Sequence, residues 1–346
     1  MTLQQDRTGN HPAQCEPGAG QACRAHTRAY RDGVVLAEGF PSTEISDYLK
    51  QEGTVVWLDL EDPDHEDLAV ITDELGLHPL AVDDAVSDRQ RPKLDRYDDH
   101  AFMNVYQVRL DADTGQLTTT EVAAFITARA LVTVRKDPAL DVRELLERWD
   151  DTADQADQGV PYLLHGLLDV IVDGHFAVVQ DLDDAIESLE ELLFDPMGRS
   201  AELQLRSFEL RKSLVALRRV VLPMREVVNA LLRRDLKIVT PAMQPYYQDV
   251  YDHVLRVTES TDSLRDLVST IVETNLSLRD YRTNQIAKQV TSWAAIIAVP
   301  TLITGWYGMN VPYPGFGTQW GVGVAAALVV VISGGLFVIF RRRDWL

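Results

Sequence analysis

One long predicted helix carries a stripe of polar and small residues. The helical pattern runs from residue 246 to residue 307 and contains neither proline nor glycine before Pro300. Positions that alternate in steps of three and four line one face of such a helix. That face carries Glu273, Ser277, Asp280, Asn284, Ala287, Thr291, Ala294, Ala298, Thr301, Gly305 and Gly308. The acidic, amide, hydroxyl and small side chains suit helices packed around a narrow, partly wet axis. Dry close packing of small residues is the alternative.

Residues suited to catalysis do not form a recognisable set. The eight histidines are scattered, and no nucleophile and base or group of metal ligands stands at a characteristic spacing. The phosphate-binding pattern Gly-x-x-x-x-Gly-Lys-Ser/Thr is absent from the sequence. Residues 1–27 hold Cys15 and Cys23, with His11 and His26 nearby. We expect a disordered leader there, and a metal-binding tail is the alternative. The sequence therefore favours neither an enzyme nor an organic cofactor.

Charge is distributed very unevenly along the chain. The net charge is −20, yet residues 289–340 contain no Asp, Glu, Lys or Arg. Within this gap, residues 290–307 and 321–340 are apolar, and each stretch is close to the ~20 residues that cross a bilayer. The connection between them is rich in glycine, proline and aromatic residues. We therefore predict two transmembrane helices, at 289–308 and 321–340, with an outer loop at 309–320.

Basic residues flank this membrane hairpin on both sides. Arg279, Arg282 and Lys288 precede it, and the tail at 341–346 begins with three arginines. The positive-inside tendency places both termini in the cytoplasm of a multi-pass cell-membrane protein. Residues 1–40 hold no apolar run with basic flanks, so we expect insertion to depend on the C-terminal spans. The acidic composition argues against nucleic-acid binding and favours cations as partners.

The part before the membrane hairpin divides into three predicted regions. In residues 28–160, β-type runs at 54–60, 102–110 and 121–135 alternate with helix-like runs at 64–75 and 79–87, which is typical of an α/β domain. Residues 161–240 form a predicted helical hairpin, and residues 241–288 a stalk. A helix from 246 to 307 would be ~90 Å long. Such a rod implies a bundle of several copies.

The predicted hairpin has helices of opposite charge. The acids Asp181, Asp183, Asp184, Glu187, Glu190 and Glu191 end its first helix, and the bases Arg206, Arg211, Lys212, Arg218 and Arg219 lie on its second. We expect the two sets to pair along antiparallel helices. Attraction of cations by the acidic helix is the alternative.

Several motifs together resemble the CorA magnesium-channel family. The first span ends in Tyr307-Gly308-Met309-Asn310, preceded by Asn284, Lys288, Trp293 and residues 298–305. Residues 56–63, 78–93 and 247–253 agree as well, so the resemblance extends from about residue 30 to 346. It implies an α+β membrane protein that assembles as a funnel-shaped homopentamer in membrane lipid. Each copy would have a cytoplasmic α/β/α domain, a long pore helix and two C-terminal spans.

The resemblance assigns a selectivity filter to Gly308, Met309 and Asn310. Glycine would allow the tight turn out of the helix, methionine would pack behind it, and asparagine would face the ion. Mg²⁺ gives up its inner water reluctantly, so neutral carbonyls that accept hydrogen bonds from its water shell suit the entrance. An ordinary helix C-terminus is the alternative explanation of the motif.

The resemblance also assigns the pore lining and a regulatory metal site. The resemblance gives Asn284, Ala287, Val290, Ala298 and Thr301 as pore-lining positions, and the stripe adds Glu273, Asp280, Thr291, Ala294 and Gly305. Val290 and Ala287 would form the hydrophobic constriction. Asp84 and Asp249, with Asp83 beside them, resemble acids that bind intracellular Mg²⁺ between subunits and hold the channel closed. A surface ion pair of Asp84 with Arg89 or Arg91 is the alternative.

These expectations describe a channel that carries hydrated Mg²⁺, and Co²⁺ or Ni²⁺ in addition, into the cytoplasm. A zinc transporter of the same superfamily and a non-conducting membrane-anchored metal sensor are the alternatives. The outer loop lacks the acidic residues that many members of the family have there. We therefore expect weaker capture of cations at the outer mouth.

Overall fold

A computed structural model of the chain describes residues 13–14, 24–87, 90–111, 114–138, 140–194, 199–233, 237–309, 312 and 314–346. The chain divides into two compact units, Met1–Ser269 and Thr270–Leu346. The first unit contains a mixed sheet with helices on both faces. The second contains the end of a long helix, a short connection and a final helix.

Eight strands form the sheet within the described residues. They are β1 (Ala13–Gln14), β2 (Arg24–Arg31), β3 (Val34–Glu38), β4 (Thr54–Glu61), β5 (Lys93–Arg96), β6 (Ala101–Leu110), β7 (Leu117–Ile126) and β8 (Ala130–Arg135). Their order is β1-β2-β4-β8-β7-β6-β5, and β3 pairs with β2. Among the described strands, only β4 and β8 pair in parallel. The sheet is therefore built mostly from antiparallel neighbours around one parallel pair.

Eight α-helices accompany the sheet in the described parts of the chain. They are α1 (Ile45–Leu49), α2 (His65–Leu75), α3 (Pro79–Val86), α4 (Val142–Asp151), α5 (Val160–Leu193), α6 (Ser200–Leu231), α7 (Gln244–Tyr307) and α8 (Gln319–Arg342). Side chains of α1, α2 and α3 pack with Leu58, Phe102 and Phe125 in one core on one face of the sheet. Helices α5 and α6 contact the strands from the other face. The α/β/α arrangement that the resemblance implied is confirmed.

A buried ion pair joins the two parallel strands. Arg135 on β8 donates from Nε and Nη2 to the carboxylate of Asp59 on β4, at 3.0 and 2.7 Å, and both side chains are buried. Thr133 donates to the same carboxylate at 2.6 Å. Burial alone would lower the pKa of Arg135, but Asp59 and Glu61 outweigh it and raise that pKa. Asp59 is therefore a structural residue that is fully satisfied inside the domain.

A glycine lets α4 and α5 approach each other closely. A Cβ at Gly166 of α5 would lie 2.3 Å from Nε1 of Trp149 on α4, so no larger residue fits. That indole donates to the carbonyl oxygen of Leu163 at 3.2 Å. It also packs edge-to-face against Trp57 of β4, with ring centroids 4.8 Å apart. The two tryptophans thus couple the helical layer to the sheet.

Two sequence predictions about the sheet domain need correction. The run at 121–135 is two strands, because Thr127 starts a turn in which its Oγ1 accepts from the backbone N–H of Arg129 and of Ala130, at 3.3 and 2.8 Å. The predicted leader ends too late, since β2 begins at Arg24 and includes His26. Residues 1–12 and 15–23, with His11, Cys15 and Cys23, lie outside the described residues.

The predicted charge pairing of α5 with α6 is wrong. All six acids of the α5 segment are exposed, and no ion pair joins them to α6 in the part of the chain that the structure describes. Arg218 instead donates to Asp262 of α7 at 2.7 Å, Arg211 donates to Ser269 of α7 at 2.9 Å, and Arg206 pairs with Glu202 on its own helix. The two helices contact each other with their apolar faces, so their charged faces are turned apart.

Among the helices that the structure describes, three are long and apolar enough to cross a membrane: α5, α7 and α8. Burial separates them, because 67% of the apolar window of α5 is buried inside its own unit, against 6% for α7 and 0% for α8. The apolar side chains of α5 therefore form protein core. The first predicted span matches the exposed, apolar end of α7, and the second lies within α8.

Candidate ion pathway and regulatory carboxylates

The predicted stripe on α7 is exposed along its whole length. Every member is solvent-accessible in the single chain: Glu273, Ser277, Asp280, Asn284, Ala287, Thr291, Ala294, Ala298, Thr301, Gly305 and Gly308. The side chains on this face are short or polar. It is therefore a face of low bulk and high polarity within an otherwise apolar segment.

The remaining surface of α7 in this segment has a different character. Lys288, Ser292, Ala295, Val299 and Ile303 recur in steps of three and four, and they are buried or half-buried. Another exposed row is apolar and bulky and consists of Ile286, Val290, Trp293 and Ile297. Val290 thus lies on the border between the polar stripe and the bulky row. The helix presents one polar exposed face and one apolar exposed face.

Thr301, one of the two threonines on the stripe, offers an oxygen and not a proton. Thr301 Oγ1 donates its hydrogen to the carbonyl oxygen of Ile297 at 3.0 Å, one turn earlier. Its oxygen lone pairs then remain available as acceptors. Water molecules around a cation point their hydrogens outward, so such an acceptor matches a hydrated cation. Thr304, which is off the stripe, makes the same backbone bond to Pro300 at 2.9 Å.

The end of α7 is closed by backbone hydrogen bonds. The N–H of Gly308 donates to Thr304 at 2.8 Å, and the N–H of Met309 donates to Trp306 at 3.3 Å. A Cβ at Gly308 would lie 3.0 Å from the Thr304 carbonyl oxygen, a tight contact, so glycine relieves crowding at a position that does not have a left-handed backbone. Met309 is 43% exposed in the single chain. The predicted ion-facing residue, Asn310, lies outside the described residues.

Asp84 has an ion-pair partner within its own chain. It lies on α3, whose first turn is capped by His78 Nδ1 accepting from the N–H of Leu80 at 3.2 Å. Lys93 Nζ on β5 lies 2.5 Å from Asp84 Oδ2 and 2.9 Å from Asp95 Oδ2. Burial would lower the pKa of Lys93, but these two carboxylates raise it. Asp84 therefore forms an ion pair, as the alternative expected, but its partner is Lys93 and not Arg91. The other expected partner, Arg89, lies outside the described residues.

The other two predicted regulatory acids, Asp249 and Asp83, are more exposed to solvent than Asp84. The Asp249 side chain on α7 is 68% exposed, and its Oδ2 lies 3.8 Å from His253 Nδ1. Asp83 is exposed beside Asp84. No group of three or more His, Cys, Asp or Glu side chains that could hold a metal occurs in the described residues of the single chain.

Sequence reasoning missed Lys93 as part of this constellation. Lys93 and Asp95 share one face of β5, because side chains two residues apart in a strand point the same way. That signal was present in the sequence. The proximity of Asp84 was not, because it depends on how α3 packs onto the sheet.

Comparisons with known proteins agree with this architecture. A family model described as CorA-like Mg²⁺ transporter protein matches residues 52–342. The cobalt/magnesium transport protein CorA of Thermotoga maritima is 29% identical over 316 residues, which cover 89% of this chain and 88% of that protein. The zinc transport protein ZntB of an Enterobacter species is 26% identical over 296 residues, which cover 82% of this chain and 85% of that protein.

The solved structures include a full-length match. The complete structure of the CorA magnesium transporter from Methanocaldococcus jannaschii superposes with a TM-score of 0.72 at 25% identity, covering 93% of this chain and 98% of that one. The match includes the α/β domain, the long helix and the C-terminal apolar helices. Since the family model spans most of the sequence, this chain belongs to the CorA-like Mg²⁺ transporter family and is a divalent metal-ion transporter, not an enzyme.

Proposed function

We propose that this protein is a passive channel that carries hydrated Mg²⁺ into the cytoplasm. The observation that supports this most is the exposed polar stripe of α7, which runs from Glu273 to Gly308 without a bulky side chain. A membrane anchor needs no such stripe, because lipid-facing positions favour apolar side chains. A path for a hydrated ion needs oxygen acceptors and space, which this face supplies.

A single α7 cannot enclose a path, so several copies must share an axis. Closed rings of identical subunits are the usual solution for soluble and membrane assemblies. In the homopentamer that we propose, five stripes face a common axis and five copies of Glu273 and Asp280 line its cytoplasmic end. Ten carboxylates there would concentrate cations at the inner exit.

The filter of the proposed channel works on the water shell of the ion. Mg²⁺ strongly retains its first-shell water, so stripping it would present a high barrier. A ring of Asn310 side chains at the end of α7 offers neutral carbonyl oxygens that accept from those water molecules. Thr301 offers a further ring of acceptors, because its hydrogen is already donated to Ile297.

The membrane potential can drive this transport without another energy source. A divalent ion that moves inward through 100 mV gains about 4.6 kcal/mol. Both termini of the proposed channel lie in the cytoplasm of the cell membrane, as the arginines after α8 favour. Uptake therefore depends on the potential and on the Mg²⁺ gradient.

Intracellular Mg²⁺ closes the channel in our proposal. Asp84 of one subunit and Asp249 of the next would share a hydrated Mg²⁺, with Asp83 adding charge. In the single chain Asp83 and Asp249 are exposed and Asp84 is half-buried, so part of each carboxylate is accessible to a neighbouring subunit. Binding between subunits stabilises only the arrangement that brings the two carboxylates together, so it shifts the population toward that state.

Zinc transport is the second candidate, favoured by the similarity to ZntB. The two proposals differ in the ion and share the pathway. The complete Gly-Met-Asn motif favours Mg²⁺, because the resemblance in the sequence is to the magnesium-channel family. Flux measurements with each ion decide between them.

Ion flux into liposomes tests the proposed function. We expect purified full-length protein to admit Mg²⁺, detected by an entrapped indicator, and the Asn310→Ala variant to lose most of that flux. Gln319→Ala, a change of another amide beside the membrane span, should retain it. Absence of Mg²⁺ flux in the wild type, or full flux in Asn310→Ala, would refute the assignment.

A further inference from the structure

Lys93 is held firmly between two carboxylates. Its Nζ lies 2.5 Å from Asp84 Oδ2 and 2.9 Å from Asp95 Oδ2. Its ammonium also lies over the ring of Phe102, 5.5 Å from the centroid. The lysine belongs to β5 and pairs in register with Asn104 of β6, so its backbone is fixed by the sheet.

This ion pair differs from an ordinary surface pair in the same domain. The side chains of Lys93 and Asp84 are 22% and 25% exposed. The ordinary pair joins Asp47 of α1 to Lys50, which follows that helix, at 2.8 Å. The side chains of this pair are 70% and 72% exposed, respectively. Exposed pairs of the second kind contribute little because water screens them. The partly buried pair is screened less, so its charges act on one another and on nearby ions more strongly.

The lysine changes the charge that an approaching cation meets. Asp84 and Asp95 together carry two negative charges, and Lys93 cancels one of them. A hydrated divalent ion at Asp84 would also lie within a few ångströms of the ammonium, and like charges at that separation repel. Asp95 gives the ammonium a second carboxylate, so Lys93 can keep one partner when Asp84 turns to another cation.

We propose that Lys93 is a built-in counter-ion that competes with Mg²⁺ for Asp84 and thereby sets the Mg²⁺ concentration at which the channel closes. This inference rests on the proposed regulatory role of Asp84 and goes beyond it, because it names a residue that tunes the site without binding the metal. Lys93 keeps the site empty at low Mg²⁺, since the carboxylate is already neutralised. Closure then requires enough Mg²⁺ to displace an internal cation.

The test measures the midpoint of Mg²⁺ binding in full-length protein in detergent. The readout is the rise in apparent melting temperature, followed by tryptophan fluorescence, as Mg²⁺ is added. Lys93→Met keeps the apolar stem over Phe102 and removes the charge. We expect its Mg²⁺ midpoint to be lower than that of the wild type on the order of tenfold. Inhibition of flux by Mg²⁺ inside liposomes should shift in the same direction.

Three further variants identify the cause of any shift. Lys93→Arg retains the positive charge and should restore a midpoint near that of the wild type. Lys50→Met removes the lysine of the exposed pair and should leave the midpoint unchanged. Asp84→Asn removes the proposed ligand and should raise the midpoint. The melting temperature without Mg²⁺ reports separately on any loss of stability in each variant.

The outcomes distinguish the inference from the regulatory proposal beneath it. A raised midpoint in Asp84→Asn together with an unchanged or raised midpoint in Lys93→Met would overturn the role of Lys93 and leave the regulatory site standing. If the Mg²⁺ midpoint were lowered equally in Lys93→Met and Lys93→Arg, the proposed role of Lys93 would also be overturned. Packing and not charge would then be responsible for the shift. An unchanged midpoint in Asp84→Asn would remove the site and the inference together.

Discussion

Asp59 in the sheet and Asp280 on α7 are both carboxylates, but their surroundings are opposite. Asp59 is buried and accepts hydrogen bonds from Arg135 and Thr133. Asp280 is exposed and forms no ion pair with any residue that the structure describes. A polar group that stabilises a fold finds its partners inside the chain, because an unpaired buried charge is costly. In the proposed channel, Asp280 instead has no ion-pair partner among the described residues of its own chain and can act on a passing cation.

The same difference applies to hydroxyl groups. Thr133 of the sheet accepts from the Trp57 indole at 3.2 Å and donates to Asp59, so its capacity is used internally. Thr301 of α7 donates to its own helix and keeps an exposed oxygen. The hydroxyl group of Thr133 is thus used inside the sheet, whereas that of Thr301 lies on an exposed face of α7. Variants that remove one group of each kind should therefore differ in whether they reduce stability or transport.

Removing the buried cationic partner of Asp59 should lower the free energy of unfolding of the sheet domain. Arg135→Met leaves the Asp59 carboxylate buried without its cation, and we expect a loss of about 3–5 kcal/mol of stability. Thermal denaturation of the full-length protein measures it. Arg143→Met breaks an exposed pair with Asp141 and should cost less than about 1 kcal/mol. Similar losses of stability in Arg135→Met and Arg143→Met would contradict the difference between buried and exposed ion pairs.

Acid should destabilise the sheet domain through His175. This buried histidine on α5 bonds through Nε2 to the Tyr106 carbonyl oxygen at 2.7 Å, and burial lowers its pKa to about 4. The unfolded chain takes up the proton near pH 6.5 while the folded chain stays neutral, so stability falls as the pH drops from about 6.5 to 4. The loss should reach about 3 kcal/mol.

A substitution isolates that contribution. His175→Gln should be less stable at neutral pH but should lose less stability between pH 6.5 and 4 than the wild type does. His65→Gln, at an exposed position of α2, should keep the pH dependence of the wild type. Parallel curves for the wild type and His175→Gln would show that another group is responsible.

Removing the two carboxylates of the α7 stripe should leave the fold intact and reduce transport. We expect Glu273→Gln with Asp280→Asn to lower Mg²⁺ flux by about tenfold at low ionic strength, with a smaller effect at high salt. The control removes two exposed acids of α5, by Asp183→Asn with Glu187→Gln. A larger loss in the α5 control would favour the alternative in which the acidic helix attracts the cations.

Thr301 and Thr304, one turn apart near the end of α7, provide the smallest and most closely matched comparison. Thr301→Val removes an acceptor from the stripe, and we expect about threefold lower flux, the scale of one hydrogen bond. Thr304→Val removes the same hydroxyl from the same helix outside the stripe and should have no effect. Equal flux in both variants would place the pathway elsewhere.

Much of the architecture was predictable because it depends on local composition. The charge-free segment marks the apolar parts of α7 and α8, since any charge in lipid is costly. The strand runs at 54–60 and 102–110 correspond to β4 and β6, because β-branched and aromatic residues favour extended backbone. The spacing of the stripe follows from helix geometry alone.

The errors concern features that depend on tertiary packing. Arg218 and Arg211 of α6 bond to α7 and not to α5, because apolar contacts select the helix faces and the charged side chains follow. Lys93 reaches Asp84 only after α3 packs on the sheet. The split between β7 and β8 depends on one side-chain turn at Thr127 within a run of strand-forming residues. Partner choice among long side chains is not encoded in their spacing.

Cysteine accessibility on α7 tests the central claim, that the polar stripe lines the ion path. In a background with Cys15→Ser and Cys23→Ser, the neighbouring variants Ala298→Cys and Ile297→Cys place a thiol on the stripe and on the bulky apolar row, respectively. A small, charged thiol reagent is applied while Mg²⁺ flux into liposomes is recorded. We expect the reagent to block flux in Ala298→Cys and to leave Ile297→Cys unaffected. Block in Ile297→Cys with none in Ala298→Cys would contradict the account.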